Sequence, residues 1–237
     1  LFAIYVNDLE NFMNDYNVAS LKFPDEYTAM NYLYLALLMY ADDTVLMANS
    51  TTGLQRALDA LEIYCEKWGL EVNTSKTEVM IFSKKKVRPD SFNFMFNGNR
   101  LKVSLEFKYL GIILNYNGSF AKCKKYLYDQ ASKAMYALIK KARYLNLPVD
   151  IQLELFDVTV LPIMLYGCEV WGFENIDLLD KLQRKFCKFI LGLKESTPTC
   201  IVYGELGRFP ISCQVKSQIA GFWHKLASGK ESKYSHR

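Results

Sequence analysis

From Gly53 to Trp68 the apolar residues Leu54, Leu58, Leu61, Cys65 and Trp68 advance by four, three, four and three, which predicts one helix with a single buried face. Ser50 or Thr51 stands where an N-cap belongs, and Gly69 where a left-handed stop belongs. Upstream, Leu1, Ile4, Tyr5 and Leu9 predict the end of a helix within residues 1–14. Two strands are expected at Val18 to Phe23 and Met30 to Met39, parted by the turn-forming Pro24-Asp25-Glu26. A further strand, Thr44 to Met47, follows directly after Asp42-Asp43, so the pattern predicts a hairpin whose turn carries two carboxylates. Glu78 to Ser83, Ser91 to Phe96 and Phe107 to Leu114 complete the expected strands, with Asn97-Gly98 as a hairpin turn and residues 84–90 as an exposed loop.

After Asn117-Gly118 the period becomes helical, over about 120–145, 149–168, 176–191 and 210–227. Pro148 suits a first helical turn, while Pro162 should kink or interrupt the second of these helices. The expected fold class is α+β, with a strand-bearing part over residues 1–117 and an all-helical part over 118–237.

With 237 residues, 51% of them hydrophobic, the chain can bury a sizeable core, which argues against disorder. It opens Leu1-Phe2-Ala3 without Met or a basic leader, and so reads as a piece of something longer. Its longest charge-free apolar runs, near 32–41 and 158–168, fall well short of the ~20 residues that cross a bilayer as a helix. Six scattered cysteines without a Cys-x-x-Cys pair, and only two histidines, argue against a zinc site and a disulfide framework. A soluble, intracellular protein is expected.

Charge is distributed unevenly. Residues 1–83 carry 4 basic and 12 acidic side chains, residues 84–143 carry 14 and 3, and the remainder 11 and 10. An acidic segment followed by a basic one fits a metal-binding region beside a polyanion-binding region, and equally a solvated helix and loop rich in lysine. Lys122, Lys124, Lys125, Lys133, Lys140, Lys141 and Arg143 share one expected helix with Tyr126, Tyr128, Tyr136 and Tyr144. Such a helix either sets cations on phosphates and rings on sugars, or turns its tyrosines to a core and its lysines to water.

The chemistry concentrates at Tyr40-Ala41-Asp42-Asp43, where adjacent acids are flanked by apolar residues on both sides. Two like charges there are costly unless a cation meets them. An ordinary Asp-Asp turn is the plain alternative. The tetrapeptide resembles the Tyr-x-Asp-Asp motif of reverse transcriptases, and other motifs stand around it in that family's order. Phe2 to Leu9 resembles the helix end before the catalytic hairpin. Gly69-Leu70-Glu71-Val72-Asn73-Thr74-Ser75-Lys76-Thr77 is similar to the Gly-Leu-x-x-Asn-x-x-Lys-Thr segment, and Phe107-Lys108-Tyr109-Leu110-Gly111 resembles the Tyr-Leu-Gly hairpin that begins the primer-gripping region. Leu165 to Gly172 and Tyr203 to Pro210 look like the region after the palm in non-long-terminal-repeat (LINE-type) retrotransposons.

The resemblance implies a partial polymerase palm followed by a helical thumb and post-thumb region. It implies RNA-directed DNA synthesis from deoxynucleoside triphosphates on an RNA template and DNA primer, with Mg²⁺ held by Asp42 and Asp43. By the same resemblance Tyr40 lies beside the primer terminus and Lys76 near the departing pyrophosphate, although Lys76 also reads as a surface lysine after a turn. Lys108 and Tyr109 would touch the primer backbone, Gly111 would permit close approach or mark a bulge, and Lys122 and Lys125 would meet the duplex. Action at chromosomal DNA, and so in the nucleus, is implied in the same way. The family's third metal-binding carboxylate falls on a strand upstream of Leu1, and Asp8 matches a different segment. The chain alone is therefore expected not to polymerise, and a non-catalytic nucleic-acid-binding or interaction remnant of a retrotransposon is the alternative.

Overall fold

The computed structural model describes residues 6–15, 21–24, 32–35, 37–173 and 175–228. The expected elements therefore lie outside the described residues at positions 1–5, 18–20, 30–31 and 36. The fold is α+β and divides into two compact units, Leu1–Leu105 and Glu106–Arg237.

In the first unit, helix α1 (Leu9–Asp15) is followed by two antiparallel pairs, β1 (Leu21–Pro24) with β2 (Tyr32–Leu35) and β3 (Leu37–Tyr40) with β4 (Asp43–Leu46). Helix α2 (Thr51–Trp68) forms as its spacing predicts. The Ser50 hydroxyl accepts from the Gly53 amide at 3.0 Å, and Gly69 ends the helix at φ +64°, its neighbour Leu70 donating back to the Cys65 carbonyl at 2.9 Å. One face of α2, through Ala57, Ala60 and Tyr64, packs with Val6, Leu9 and Met13 and with the inward side chains Leu37, Met39 and Leu46. The Tyr64 hydroxyl donates to the Asp8 carboxylate at 2.5 Å, which gives Asp8 a structural partner.

A second cluster, Leu58, Val79, Phe94, Phe96 and Leu101, joins α2 to β5 (Glu78–Met80), β6 (Met95–Phe96), β7 (Asn99–Arg100) and β8 (Lys102–Ser104). Asn97 and Gly98 turn between β6 and β7 with φ of +48° and +70°, both left-handed as a two-residue hairpin requires. The strand expected over Ser91 to Phe96 is cut short. Residues Pro89–Ser91 form a 3₁₀ turn and only Met95–Phe96 enter a ladder, which one further bond extends, the Phe94 carbonyl accepting from the Leu101 amide at 2.8 Å.

The second unit begins with a hairpin, β9 (Glu106–Tyr109) and β10 (Ile112–Asn115), where the apolar pattern reads as a single strand and the Tyr-Leu-Gly resemblance implies a hairpin. Helices α3 (Ala121–Tyr144), α4 (Val149–Thr159), α5 (Leu161–Leu165), α6 (Cys168–Trp171), α7 (Asp177–Ile190), α8 (Thr199–Glu205) and α9 (Ile211–Ser228) follow. The break between α4 and α5 puts Pro162 in a first helical turn, where its missing N–H costs nothing. The core gathers Leu127, Met135, Phe156, Trp171, Leu182 and Phe186, with Phe156 stacked on Phe186 at 4.3 Å.

The expected Tyr203 to Pro210 motif ends α8 and ties helices together. Gly207 is left-handed at φ +60°, and Arg208 donates its amide back to the Tyr203 carbonyl at 2.8 Å. The Arg208 guanidinium forks onto Asp157 of α4 at 2.5 and 2.8 Å. Asp180 of α7 accepts from the Ile211 amide at 3.0 Å and from the Tyr203 hydroxyl at 3.3 Å, while pairing with Arg184 at 2.6 Å.

Candidate nucleic-acid and metal-binding elements

In the first unit, Tyr40 and Asp43 are ladder partners that close a two-residue turn of Ala41 and Asp42. Leu37, Met39 and Leu46 are anchored in the core, so the alternation of the strands turns Tyr40 outward, where it is 62% exposed. Asp42 and Asp43 are exposed at the turn itself. Ala41 holds φ +55°, a left-handed conformation that costs a residue with a Cβ about 1–2 kcal/mol. Two adjacent carboxylates stand at the tip of an apolar-anchored hairpin, presented by a strained backbone. Among the described residues neither has an ion-pair partner, and no group of three His, Cys, Asp or Glu side chains is gathered that could enclose a metal. Their carboxylate oxygens are the donors that a hard divalent cation takes.

Lys76 sits in a separate turn built by Asn73. The Asn73 carbonyl accepts from the amides of Lys76 and Thr77, both at 3.1 Å, and from the Thr77 hydroxyl at 2.9 Å. Its side-chain oxygen accepts from the Ser75 amide at 3.1 Å and hydroxyl at 2.6 Å. Thr77 runs straight into β5, where Val79 is buried, so the exposed Lys76 is carried on a stiff turn rooted in the core. Asn73, Ser75 and Thr77 thus have positioning work that the sequence pattern alone does not assign.

In the second unit, Leu110 and Gly111 form the β9–β10 turn with φ of +46° and +84°. Lys108 reaches from β9 to α3, donating to the Tyr126 hydroxyl at 2.8 Å with its ammonium 4.5 Å from the ring centre. Lys122 is ion-paired with Glu106, and Lys125 with Asp129 at 3.0 Å. The structure therefore brings Lys108 and Lys122 together along the hairpin and gives the lysines local partners, all at solvent-exposed positions where such pairs exchange readily. Lys124 turns inward instead, buried, with its ammonium on the Asn175 carbonyl at 2.9 Å, and leaves the basic face.

That face extends onto α7. Lys133, Tyr136 and Lys140 share the exposed side of α3, and Lys185 of α7 donates to the Tyr136 hydroxyl at 2.6 Å, a bond that also raises the Lys185 pKa. Lys181, Lys185 and Lys188 follow one another at helical spacing on α7. The near balance of charge after residue 143 hides this stripe in the sequence.

A family profile, reverse transcriptase (RNA-dependent DNA polymerase), matches residues 1–114. The chain is 27% identical over 186 residues to a probable RNA-directed DNA polymerase from transposon BS of Drosophila melanogaster, covering 73% of this chain and 20% of that protein. It is 30% identical over 141 residues to a putative uncharacterized transposon-derived protein of Caenorhabditis elegans, covering 60% of this chain and 50% of that one. It is 27% identical over 154 residues to the RNA-directed DNA polymerase from mobile element jockey of Drosophila melanogaster, covering 61% and 16%. The matched region is thus half or less of these relatives' length, and no solved structure matches the chain. With its motifs in order and its first 114 residues matched by the reverse transcriptase profile, this chain is similar to RNA-directed DNA polymerases carried by transposons and mobile elements.

Proposed function

We propose that this chain is part of an RNA-directed DNA polymerase, contributing the second half of the palm over residues 1–117 and a helical thumb and post-thumb region over 118–237. The observation that carries the reading is the exposed Ala41-Asp42 turn, which sets adjacent carboxylates at the tip of a core-anchored hairpin. In the reaction, the 3′-hydroxyl oxygen of a DNA primer bonds to the α-phosphorus of the incoming deoxynucleoside triphosphate, and the hydroxyl proton passes to solvent. The bond from that phosphorus to the oxygen bridging the β-phosphorus breaks, and pyrophosphate leaves. When bound, Mg²⁺ lowers the pKa of the attacking hydroxyl and neutralises charge on the phosphates. Asp42 is the direct ligand and Asp43 the second carboxylate, with Tyr40 beside the primer terminus on the face it shares with Asp43. Lys76 neutralises or protonates the departing pyrophosphate. Lys108, Tyr109 and Gly111 hold the primer backbone, and Lys122 and Lys125 meet the phosphates of the duplex.

Primer extension on an RNA template tests this. A longer product of the same coding region should incorporate deoxynucleotides in a divalent-dependent way, and Asp42→Ala should abolish incorporation without altering the circular dichroism spectrum. Undiminished incorporation by that variant sinks the assignment. Residues 1–237 alone should not incorporate, since two carboxylates hold a divalent cation weakly where the family uses three.

A second reading, nucleic-acid binding without catalysis, is favoured by the basic face that runs over α3 and α7, because that face needs no metal. Salt-sensitive binding of an RNA–DNA duplex by a protein with no divalent-dependent incorporation would select it.

A further inference from the structure

The Leu165 to Gly172 motif has no part in the steps above, yet the structure sets it under the β9–β10 turn. The Tyr166 hydroxyl donates to the Leu110 carbonyl at 2.6 Å. A Cβ added at Gly111 would stand 3.0 Å from the Tyr166 ring, so the ring packs directly on the turn. Tyr166 is itself held from behind, its carbonyl accepting from the indole N–H of the fully buried Trp171 at 2.9 Å. Gly167, at φ +66°, carries the chain so close to Ile112 that a Cβ there would lie 2.7 Å from its side chain. Gly172 lets α9 close over this assembly, a Cβ there falling 2.5 Å from Val215.

Two features separate this from ordinary core packing. Tyr166 is 49% exposed, so burial is not what its ring provides, and its hydroxyl goes to a backbone carbonyl of a turn. Leu110 is left-handed without being glycine, a conformation that persists only where surrounding contacts enforce it. The stem of the same hairpin is tied to α3 by Lys108 on Tyr126 and by Glu106 with Lys122. Tyr109 lies between the two attachments, next to the turn.

We propose that Tyr166, backed by Trp171 and Gly167, is a positioning residue that fixes the Leu110-Gly111 turn and thereby aims Lys108, on the exposed face of β9, at the sugar-phosphate backbone of a nucleic-acid strand. The proposal rests on the reading that this hairpin grips such a strand. It gives the Tyr-Gly-x-x-x-Trp-Gly spacing a physical meaning: the tyrosine contacts the turn, the first glycine allows the approach, and the tryptophan and last glycine lock both against the core.

Tyr166→Phe keeps the ring and removes only the donor. Two measurements on residues 1–237 test it: amide hydrogen exchange over residues 108–113, and binding of a fluorescein-labelled RNA–DNA heteroduplex with a recessed primer end across a salt series. Exchange at the turn should quicken, and heteroduplex affinity should fall about 5- to 10-fold, the worth of one hydrogen bond, with the salt slope unchanged because no cation is lost. Lys108→Gln should instead make the slope shallower by about one. A Tyr166→Phe protein that matches the wild type in affinity overturns the positioning role, whatever its exchange. If the wild type itself fails to bind the heteroduplex, the grip reading falls, and the role of Tyr166 with it.

Discussion

Asp180→Ala discriminates between a structural and a nucleic-acid-binding role for the Tyr203 to Pro210 region. Asp180 carries three contacts, with the Ile211 amide at 3.0 Å, Arg184 at 2.6 Å and the Tyr203 hydroxyl at 3.3 Å. The Ile211 amide is a first-turn N–H of α9 with no partner inside its own helix, so its loss resembles the loss of a cap and costs about 1 kcal/mol. The ion pair is partly exposed, at 33% and 15% for the two side chains, and screening reduces it to about 0.5–1 kcal/mol. The long phenol contact adds a few tenths, and the three share one carboxylate, so the sum is about 2 kcal/mol rather than a total of independent terms. With a urea m-value of about 2–3 kcal/mol/M, the midpoint followed by circular dichroism should fall by about 0.7–1 M. Asp180→Asn keeps an oxygen for the Ile211 amide and should lose about half as much. Heteroduplex binding, measured where both proteins are folded, should be unchanged. A midpoint within about 0.2 M of the wild type, together with lost binding, would refute the structural assignment and make Asp180 and its neighbours part of the nucleic-acid interface.

Ala41→Gly should raise the urea midpoint by an amount worth about 1 kcal/mol, since glycine adopts the φ of +55° without strain; a lowered midpoint would mean that the methyl group packs usefully at the turn. Gly172→Ala should destabilise by about 1–3 kcal/mol or prevent folding, because the new Cβ would meet the Cys168 carbonyl at 2.4 Å and Val215 at 2.5 Å; an unshifted thermal midpoint contradicts this packing. Brief iodoacetamide treatment of the native protein at pH 8, read by mass spectrometry, should label the exposed Cys200 and Cys213 and spare Cys168 and Cys187. Burial pushes those two thiols up to about 12 and about 11, so the reactive thiolate is scarce there until pH approaches those values or the protein unfolds. Replacing Lys181, Lys185 and Lys188 by Gln should flatten the salt dependence of heteroduplex binding by roughly 2–3 in slope if the phosphates lie on the α3–α7 face; an unaltered slope removes α7 from it.

The long amphipathic helices were legible because each needs only its own period to declare a buried face. α2, α3, α7 and α9 all lie within a few residues of where the apolar spacing sets them. Elements whose form depends on distant partners were not. The pattern over Phe107 to Leu114 is apolar apart from Lys108 and Gly111 and reads as one strand; the Tyr-Leu-Gly resemblance implies a hairpin there, but the periodicity does not say that Leu110 turns the chain. That turn is secured by Tyr166, 56 residues further along. α8 is not legible in the sequence because it is a single short segment, Thr199–Glu205, whose buried residues Val202 and Tyr203 are too few to show a period.

The candidate site divides along the same line. Asp42 and Asp43 stand out from sequence because two charges interrupt an apolar run, and a hairpin tip is the cheapest place for them. The basic region is different in kind, since charge counts say how many cations exist but not which way they point. Lys124 lies between Lys122 and Lys125 on the same helix, yet it is the buried one, because the helical period turns it toward the core beside Cys123 and Leu127. Lys185 belongs to a segment of balanced charge and still meets Tyr136 on the exposed face of α3. A polyanion reads the arrangement of cations, and that arrangement is a property of the packed helices. The acidic turn and the basic face are therefore separable: substitutions that loosen the packing of α7 on α3 should degrade nucleic-acid binding while leaving the Asp42-Asp43 hairpin, rooted in a different core, intact.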